Sequence, residues 1–124
     1  ANVVLAPVVQ TAADAGLEAL ASHSGELISR ARGGKIMESD QVPAAITVSN
    51  LGMYGVTAFT AMVTPPQVMV LSVGAVQRIP VFNEADEVVA RSVITLTLGS
   101  DHRVVNGAQA AAFLKAVVAG LENN

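Results

Sequence analysis

The pattern of hydrophobic and polar residues in the first third of this chain predicts a strand followed by a helix. Residues 3–9 are a short, nearly continuous apolar run, which is typical of a strand covered on both faces. Pro7 places this strand at a sheet edge or a bulge, since proline has no N–H to donate. From about residue 15 to residue 32, apolar residues recur at helical spacing. Thr11 and Asp14 offer side-chain oxygens that can cap such a helix.

Glycines mark the next two boundaries. Gly33 and Gly34 are expected to end the helix, and residues 35–43, which keep no sustained period, form a connecting loop. Residues 45–49 have the composition of a strand and run into residues 50–55, where two glycines bracket a turn. A polar hydroxyl group therefore lies where this strand gives way to a loop.

The rest of the chain predicts a long hairpin and a closing helix. Apolar residues fill positions 68–76 and 79–82, polar residues occupy 83–87, and a second apolar run covers 88–98, which is the pattern of two long strands around a hairpin loop. Residues 108–121 place apolar side chains on one helical face. The order β-α-β-β-β-α predicts an α/β protein in which helices pack on a mixed sheet as a two-layer sandwich.

Composition adds that this single domain is unusually apolar. Of the 124 residues, 52% are hydrophobic and only 14% are charged, against about a quarter charged in an average soluble domain. No apolar run reaches the roughly 18 to 20 residues that a membrane-spanning helix needs, so no membrane insertion is expected. Because small monomers seldom expose large apolar patches, part of the excess is expected at contacts between subunits.

Charge and rare residues disfavour several kinds of partner and site. A net charge of −3, with 3% aromatic residues and no tryptophan, disfavours nucleic acid, which binds basic and aromatic surfaces. The absence of cysteine excludes disulfides, zinc–thiolate sites and a thiol nucleophile, and no metal site is expected. No basic segment precedes an apolar stretch at the start, so we expect a bacterial cytoplasmic protein, or an organelle-matrix protein that has lost a transit peptide.

The densest group of polar side chains lies between the last strand and the last helix, at residues 99–107. His102 is the best candidate for a general base there, since an imidazole exchanges protons near neutral pH. The residue types alone favour the alternative that His102, between an acid and an arginine, is a hydrogen-bonded structural residue. Ser49 either donates a hydrogen bond to an oxyanion or caps the turn that follows it, and capping is the commoner use of a serine at a strand end.

Two motifs in this sequence resemble the signatures of one enzyme family. Residues 101–107 read Asp-His-Arg-Val-Val-Asn-Gly and are similar to the active-site signature Asp-His-Arg-x-x-Asp/Asn-Gly of the dihydrolipoamide acyltransferases. Residues 47–55 resemble their second signature, in which a serine precedes Asn-Leu-Gly. Residues 6–9, 65–67 and 111–114 follow the order expected in the family. These enzymes are the core component of the pyruvate, branched-chain and 2-oxoglutarate dehydrogenase complexes.

The resemblance implies a fold of the chloramphenicol acetyltransferase type, present as a partial domain. Residues 1–124 are expected to be the C-terminal part of the catalytic domain, with no lipoyl domain and no peripheral-subunit-binding domain. Coenzyme A is the implied substrate, and lipoamide is carried in the family on a lipoyl domain. The first half of the catalytic domain, which supplies part of the coenzyme A channel in the family, is also expected to be missing.

The resemblance further implies roles for five residues. His102 is expected to take the proton of the thiol of coenzyme A or dihydrolipoamide, and Ser49 to hydrogen-bond the oxyanion of the tetrahedral intermediate. Asn106 stands where many relatives have aspartate, and it is expected to orient the site loop without transferring a proton. Asp101 and Arg103 are expected to fix the geometry of the histidine without touching the substrate.

Assembly and partners follow from the same resemblance. The family forms homotrimers in which the serine of one subunit faces the histidine of its neighbour, and the trimers build cores of 24 or 60 subunits. Ser49 and His102 of one chain are therefore expected to lie too far apart to share a substrate atom. The implied partners are the dehydrogenase and dihydrolipoamide dehydrogenase components of the complex.

Acyl transfer between dihydrolipoamide and coenzyme A is the leading hypothesis. The Ser-Asn-Leu-Gly form of the second motif resembles pyruvate-type or branched-chain relatives more than 2-oxoglutarate ones. We expect an acetyl group, and a branched-chain acyl group stays open. Two alternatives remain: a non-catalytic assembly module or truncated relative of the same family, and a stand-alone acetyltransferase of the chloramphenicol type that acts on a small hydroxyl.

Overall fold

The computed structural model describes residues 4–10 and 12–123 and contains two compact units, Ala1–Ala44 and Ala45–Asn124. We call them the N-terminal unit and the C-terminal unit. The predicted mixed α/β class is confirmed, because each unit contains a helix and the C-terminal unit contains a sheet with parallel and antiparallel pairs. None of the helices formed by the described residues has the length and apolar character of a membrane span.

The N-terminal unit is built on one helix, α1, at Leu17–Arg32, as the spacing of its apolar residues predicts. Its start differs from the prediction. Gly16 is the N-cap and supplies no side-chain hydrogen bond, whereas Asp14 lies in a separate 3-10 turn and Thr11 is outside the described residues. The helix ends at the two glycines as predicted, and Gly34 takes a left-handed φ of 65°, which costs glycine no steric strain.

The strand predicted over residues 3–9 is absent from the part of that segment that the structure describes. Val4 is 93% exposed and Leu5 is also exposed, so this run is not covered as predicted. The N–H of Val8 donates to the carbonyl oxygen of Asp40 at 2.7 Å, and Asp40 belongs to a 3-10 turn. A strand needs a neighbour with a ladder of donors and acceptors, which this turn does not offer. The prediction was wrong because apolar composition does not supply a pairing partner.

Asp40 ties the loop after α1 back to the helix. The residue is 5% exposed. Its Oδ1 accepts a hydrogen bond from Arg30 Nη2 at 2.7 Å, and its Oδ2 accepts one from the N–H of Met37 at 3.0 Å. The hydrogen bonds from Arg30, and then from Met37, hold the pKa of Asp40 below its ordinary value. A buried carboxylate is tolerated here because both oxygens are paired.

Among its described residues, the C-terminal unit forms five strands and one helix. They are β1 Ile46–Asn50, β2 Met69–Val73, β3 Gln77–Phe82, β4 Val88–Val93, β5 Leu96–Ser100 and α2 Gly107–Glu122. β1 pairs with β2 in parallel and β2 pairs with β5 antiparallel, which gives a three-stranded sheet in the order β1-β2-β5. β3 and β4 form a separate antiparallel hairpin. The described residues supply no further strand to the outer edges of β1 and β5.

Each of the two long strands predicted over residues 68–98 is divided in two. The first strand breaks after β2, where the N–H of Ala75 donates to the carbonyl oxygen of Val56 at 2.8 Å. A Cβ atom at Gly74 would lie 1.9 Å from the carbonyl oxygen of Thr57. The segment at Val56 and Thr57 therefore pairs with the backbone directly after β2 and ends the strand there. The predicted pairing of the two runs is confirmed, but it forms the sheet pair β2-β5 and the hairpin β3-β4.

The described residues bury few hydrophobic side chains. Those that are almost fully buried are Leu27, Val70 and Leu71. Large apolar side chains that the C-terminal unit leaves more than half exposed are Val48, Met53, Tyr54, Met62, Val76, Phe82, Val88, Val104 and Leu121. Together with the outer edges of β1 and β5, to which no other described strand pairs, these side chains leave the C-terminal unit with an extensive exposed apolar surface.

Candidate active site

His102 lies in a braced turn between β5 and α2. The N–H of Asp101 donates to the carbonyl oxygen of Val68 at 2.8 Å, which extends the pairing of β5 with β2 by one residue. The carbonyl oxygen of Asp101 accepts the N–H groups of Val104 and Val105, each at 2.9 Å. These bonds fix the backbone on both sides of His102, whose side chain is exposed. The turn therefore presents the imidazole to solvent from a defined backbone position.

An ion pair closes the same turn. Arg103 Nη2 donates to Asp101 Oδ2 at 2.8 Å, Arg103 Nε donates to Oδ1 at 3.0 Å, and the N–H of Arg103 also donates to Oδ1 at 3.0 Å. The side-chain hydrogen bonds from Arg103, and then its backbone N–H, lower the pKa of Asp101 from 3.8 to about 2. Because the folded pKa is depressed, the stabilisation is complete above about pH 4 and is lost as the pH falls towards 2. The pair is therefore fully charged at neutral pH.

Asn106 is the N-cap of α2. Its Oδ1 accepts a hydrogen bond from the N–H of Gln109 at 2.9 Å, and Gln109 Oε1 accepts one from the N–H of Asn106 at 3.0 Å. This reciprocal capping box satisfies two backbone donors at the helix start. The structure thus gives Asn106 a place at the junction of the turn and the helix, four residues after His102.

We predict that Asn106→Ala lowers the free energy of unfolding by about 1 kcal/mol, because the N-cap acceptor is lost. Asn106→Asp is the matched control, since a carboxylate accepts the same hydrogen bond and suits the positive end of the helix dipole. Urea denaturation followed by circular dichroism measures both variants. An Asn106→Ala protein as stable as the wild type would show that the cap contributes nothing.

Ser49 lies on β1, one residue before the strand ends. It is half-buried and pairs in register with Ser72 of β2, which pairs in turn with Thr97 of β5. The turn after β1 is closed by the next residue, because Asn50 Oδ1 accepts the N–H of Gly52 at 2.8 Å. The side chain that caps this turn is therefore that of Asn50, so the proposed capping role of Ser49 is wrong.

The strand register separates Ser49 from His102 within one chain. Ser49 is level with Thr97 of β5. Asp101 lies four residues after Thr97, one residue past the end of β5, at the end of the sheet where β1 begins. With about 3.3 Å per residue along a strand and about 4.8 Å between strands, the backbones at Ser49 and Asp101 are roughly 16 Å apart. This register supports the prediction that one chain cannot bring Ser49 and His102 to the same substrate atom.

Sequence reasoning missed two features near Ser49. The first is Ser72, a buried hydroxyl on the central strand, which the sequence signals only as one polar residue inside an apolar run. The second is a shallow depression beyond the ends of β1 and β2; its lining includes Asn50, Gly52, Met53, Val76 and Ile94. Within the described ranges, no group of three or more histidine, aspartate or glutamate side chains could hold a metal ion.

Comparison with known proteins places this arrangement in one family. Residues 2–124 match the family described as 2-oxoacid dehydrogenases acyltransferase (catalytic domain). The chain is 36% identical over 113 residues to the dihydrolipoyllysine-residue acetyltransferase component of the pyruvate dehydrogenase complex of Zymomonas mobilis. That match covers 91% of this chain and 26% of the relative. The chain thus spans about a quarter of the length of this curated relative.

Two solved structures share the fold. One comes from a crystallographic and enzymatic study of a serine, a histidine and an asparagine in the catalytic mechanism of Azotobacter vinelandii dihydrolipoamide acetyltransferase, with 37% identity and a TM-score of 0.80. The other is the cubic core of the pyruvate dehydrogenase multienzyme complex, with 38% identity and a TM-score of 0.80. Each match covers 88% of this chain and 44% of the other. Because the family match spans residues 2–124 of this chain, the chain belongs to the family of 2-oxoacid dehydrogenase acyltransferases.

Proposed function

We propose that this chain is the C-terminal part of an acyltransferase catalytic domain and that the protein transfers an acetyl group between dihydrolipoamide and coenzyme A. The observation that carries the proposal is the spacing of the candidate residues. In the Azotobacter vinelandii enzyme, the histidine and the asparagine studied for their catalytic role stand 4 positions apart, and the serine stands 52 positions before the histidine. Here Asn106 follows His102 by 4 positions, and Ser49 precedes it by 53.

The proposed chemistry needs only a base and a hydrogen-bond donor. His102 takes the proton of the acceptor thiol, which is mostly protonated at neutral pH because its pKa is about 8.5. The thiolate attacks the carbonyl carbon of the thioester, and Ser49 donates a hydrogen bond to the resulting oxyanion. When the intermediate collapses, the second thiolate leaves and takes the proton back from the imidazolium. No covalent acyl-enzyme forms.

Three further residues support the base without joining in proton transfer. Asp101 and Arg103 close the turn around His102 with an ion pair that stays charged through the working pH range. Asn106 joins that turn to α2 by its capping hydrogen bonds. Since a misplaced base loses much of its effect, these contacts favour catalysis by fixing where the imidazole can stand.

The two halves of the proposed site must come from different copies of the chain. About 16 Å of sheet separates Ser49 from the turn of His102 in one copy, whereas a shared substrate atom requires both side chains within hydrogen-bond reach. The exposed apolar side chains of the C-terminal unit supply surface for contact between copies. We therefore propose a trimer, with a dehydrogenase and a dihydrolipoamide dehydrogenase as partners in a larger complex.

Mixed trimers test this arrangement. We predict that the full-length Ser49→Ala and His102→Ala proteins, each nearly inactive, regain activity when they are co-expressed. Each mixed trimer would hold one site with an intact serine from one chain and an intact histidine from its neighbour. Random mixing in closed trimers then gives about a quarter of the wild-type activity.

The control for this test is co-expression of Ser49→Ala with the double variant Ser49→Ala/His102→Ala, which provides no intact serine and should stay inactive. Recovery in the first mixture alone supports a shared site. Lack of recovery in both mixtures, or a monomer by light scattering at micromolar concentration, would contradict the trimer.

Acetyl transfer from acetyl-coenzyme A to dihydrolipoamide is the direct test of function. The full-length protein should catalyse it, and faster than transfer of an isobutyryl group. The chain of residues 1–124 should gain activity when the first half of the catalytic domain is added as a second chain, since the exposed apolar surface of the C-terminal unit needs cover. A full-length protein that assembles but transfers no acyl group would instead be an assembly module.

A further inference from the structure

Ser72 is a polar side chain at the centre of the sheet. It lies on β2 between Leu71 and Val73 and is 1% exposed. Its Oγ accepts a hydrogen bond from the N–H of Ala61 at 3.2 Å. A hydroxyl group also has a proton to donate, and a buried donor that finds no acceptor costs free energy. The proton of Ser72 therefore needs an acceptor near β2.

The segment around Ala61 closes one side of this hydroxyl to water. The backbone of Thr57 lies directly against Gly74, where a Cβ atom would be 1.9 Å from the carbonyl oxygen of Thr57. The carbonyl oxygen of Ala61 would be 3.4 Å from a Cβ atom at Gly99, on the same sheet face. Gly74 and Gly99 thus let the segment lie flat on β2 and β5. The sheet face under this segment offers side-chain acceptors for the Ser72 proton.

Two hydroxyl side chains flank Ser72, on the same face of the sheet. Ser49 is its register partner on β1 and Thr97 is its register partner on β5. Register partners on neighbouring strands point to the same face, with Cβ atoms about 4.5 to 5.5 Å apart, so the rotation of one side chain brings two hydroxyl oxygens into hydrogen-bond range. The three residues form a row of hydroxyl groups across the sheet, with buried Ser72 on the central strand β2 between Ser49 on β1 and Thr97 on β5.

We propose that Ser72 donates a hydrogen bond to Ser49 Oγ and thereby directs the proton of Ser49 towards the oxyanion. Ser72 is a positioning residue that acts through Ser49 and never touches the substrate. This inference rests on the proposed acyl transfer and on the role of Ser49 in it. The chain of donors runs from the N–H of Ala61 to Ser72, from Ser72 to Ser49, and from Ser49 to the oxyanion.

The hydrogen bond from Ser72 would orient the hydroxyl group of Ser49, which is otherwise weakly restrained. A serine hydroxyl rotates freely and commonly donates its proton to nearby backbone carbonyl oxygens. When Ser49 Oγ already accepts a hydrogen bond from Ser72, the rotation of its own proton is restricted, and the two bonds polarise each other. Because the oxyanion exists only in the transition state, loss of this orientation should lower kcat and leave KM unchanged.

A double-mutant cycle on the full-length, assembled protein tests the proposal. Ser72→Ala should lower kcat about tenfold with KM unchanged in the wild-type background. In the Ser49→Ala background, the same substitution should have no further effect, because the residue through which it acts is gone. Thr97→Val is the matched control: it removes the other flanking hydroxyl and should leave kcat unchanged.

Each outcome decides between a positioning and a structural role. Equal losses from Ser72→Ala in both backgrounds, or an unchanged kcat in the wild-type background, would overturn the proposal and leave the acyl transfer intact. Coupling to Thr97 instead of Ser49 would overturn it as well. If Ser72→Ala does not assemble, Ser72→Cys keeps a similar shape with only a weak donor, and the same loss in kcat is expected. A wild-type assembly without acyl transfer would contradict the proposed function and this inference together.

Discussion

Replacing His102 with alanine is expected to lower kcat for acetyl transfer about 100-fold or more, because a positioned general base contributes about 10²- to 10⁴-fold. The imidazole is exposed, and the turn is held by backbone and Asp101–Arg103 hydrogen bonds that this substitution leaves in place. The free energy of unfolding should therefore change by no more than about 0.5 kcal/mol. Steady-state kinetics with acetyl-coenzyme A and dihydrolipoamide, beside urea denaturation, measure both quantities.

The chain provides a matched control for this substitution. His23 is the second histidine; it is exposed on α1, in the N-terminal unit. His23→Ala removes the same group and should leave kcat within twofold of the wild type. Unchanged turnover in a folded, assembled His102→Ala protein would remove His102 from the mechanism and return it to the structural role that its residue type alone favours.

Ser49→Ala should lower kcat by about 10²- to 10³-fold, the loss seen when an oxyanion-hole donor is removed from other enzymes. The hydrogen bond forms to the tetrahedral oxyanion and is nearly absent in the ground state, so KM should stay close to its wild-type value. Ser49 is half-buried on β1, and alanine fits the same strand position. The measurement is the separate determination of kcat and KM for acetyl-coenzyme A and for dihydrolipoamide.

Ser92 offers the comparison for Ser49. It is an exposed serine on β4 of the hairpin, and Ser92→Ala should change neither constant. A rise in KM with an unchanged kcat for Ser49→Ala would mean that Ser49 only binds the substrate. In that case, Ser72 would have no effect on kcat through the hydroxyl group of Ser49.

Several parts of this protein are determined locally and could be predicted from the sequence. α1 follows from apolar residues at helical spacing, and α2 begins where Asn106 can cap it. The hairpin loop follows from Asn83, whose Oδ1 accepts the N–H groups of Ala85 and Glu87 at 3.0 and 2.9 Å. In each case the partners lie within a few residues of each other, so the sequence alone specifies the contact.

The candidate residues were identified by motif rather than by physical reasoning. Asp101, His102 and Asn106 lie within six positions, so their place in one turn could be expected from the sequence. Whether that turn meets Ser49 depends on strand order and register, which pair residues remote in the chain. The separation of Ser49 from the turn of His102 within one chain was expected from the family resemblance. The strand register gives that separation a physical cause.

Only the tertiary structure decided the contacts between remote segments. The break after β2 arises because Val56 and Thr57 lie against Gly74 and Ala75, and nothing in the apolar run itself signals it. Residues 4–9 have the composition of a strand, yet they form none because no strand among the described residues pairs with them. Composition and period predict what a segment can form, but the neighbour that supplies its hydrogen bonds is chosen by the fold as a whole.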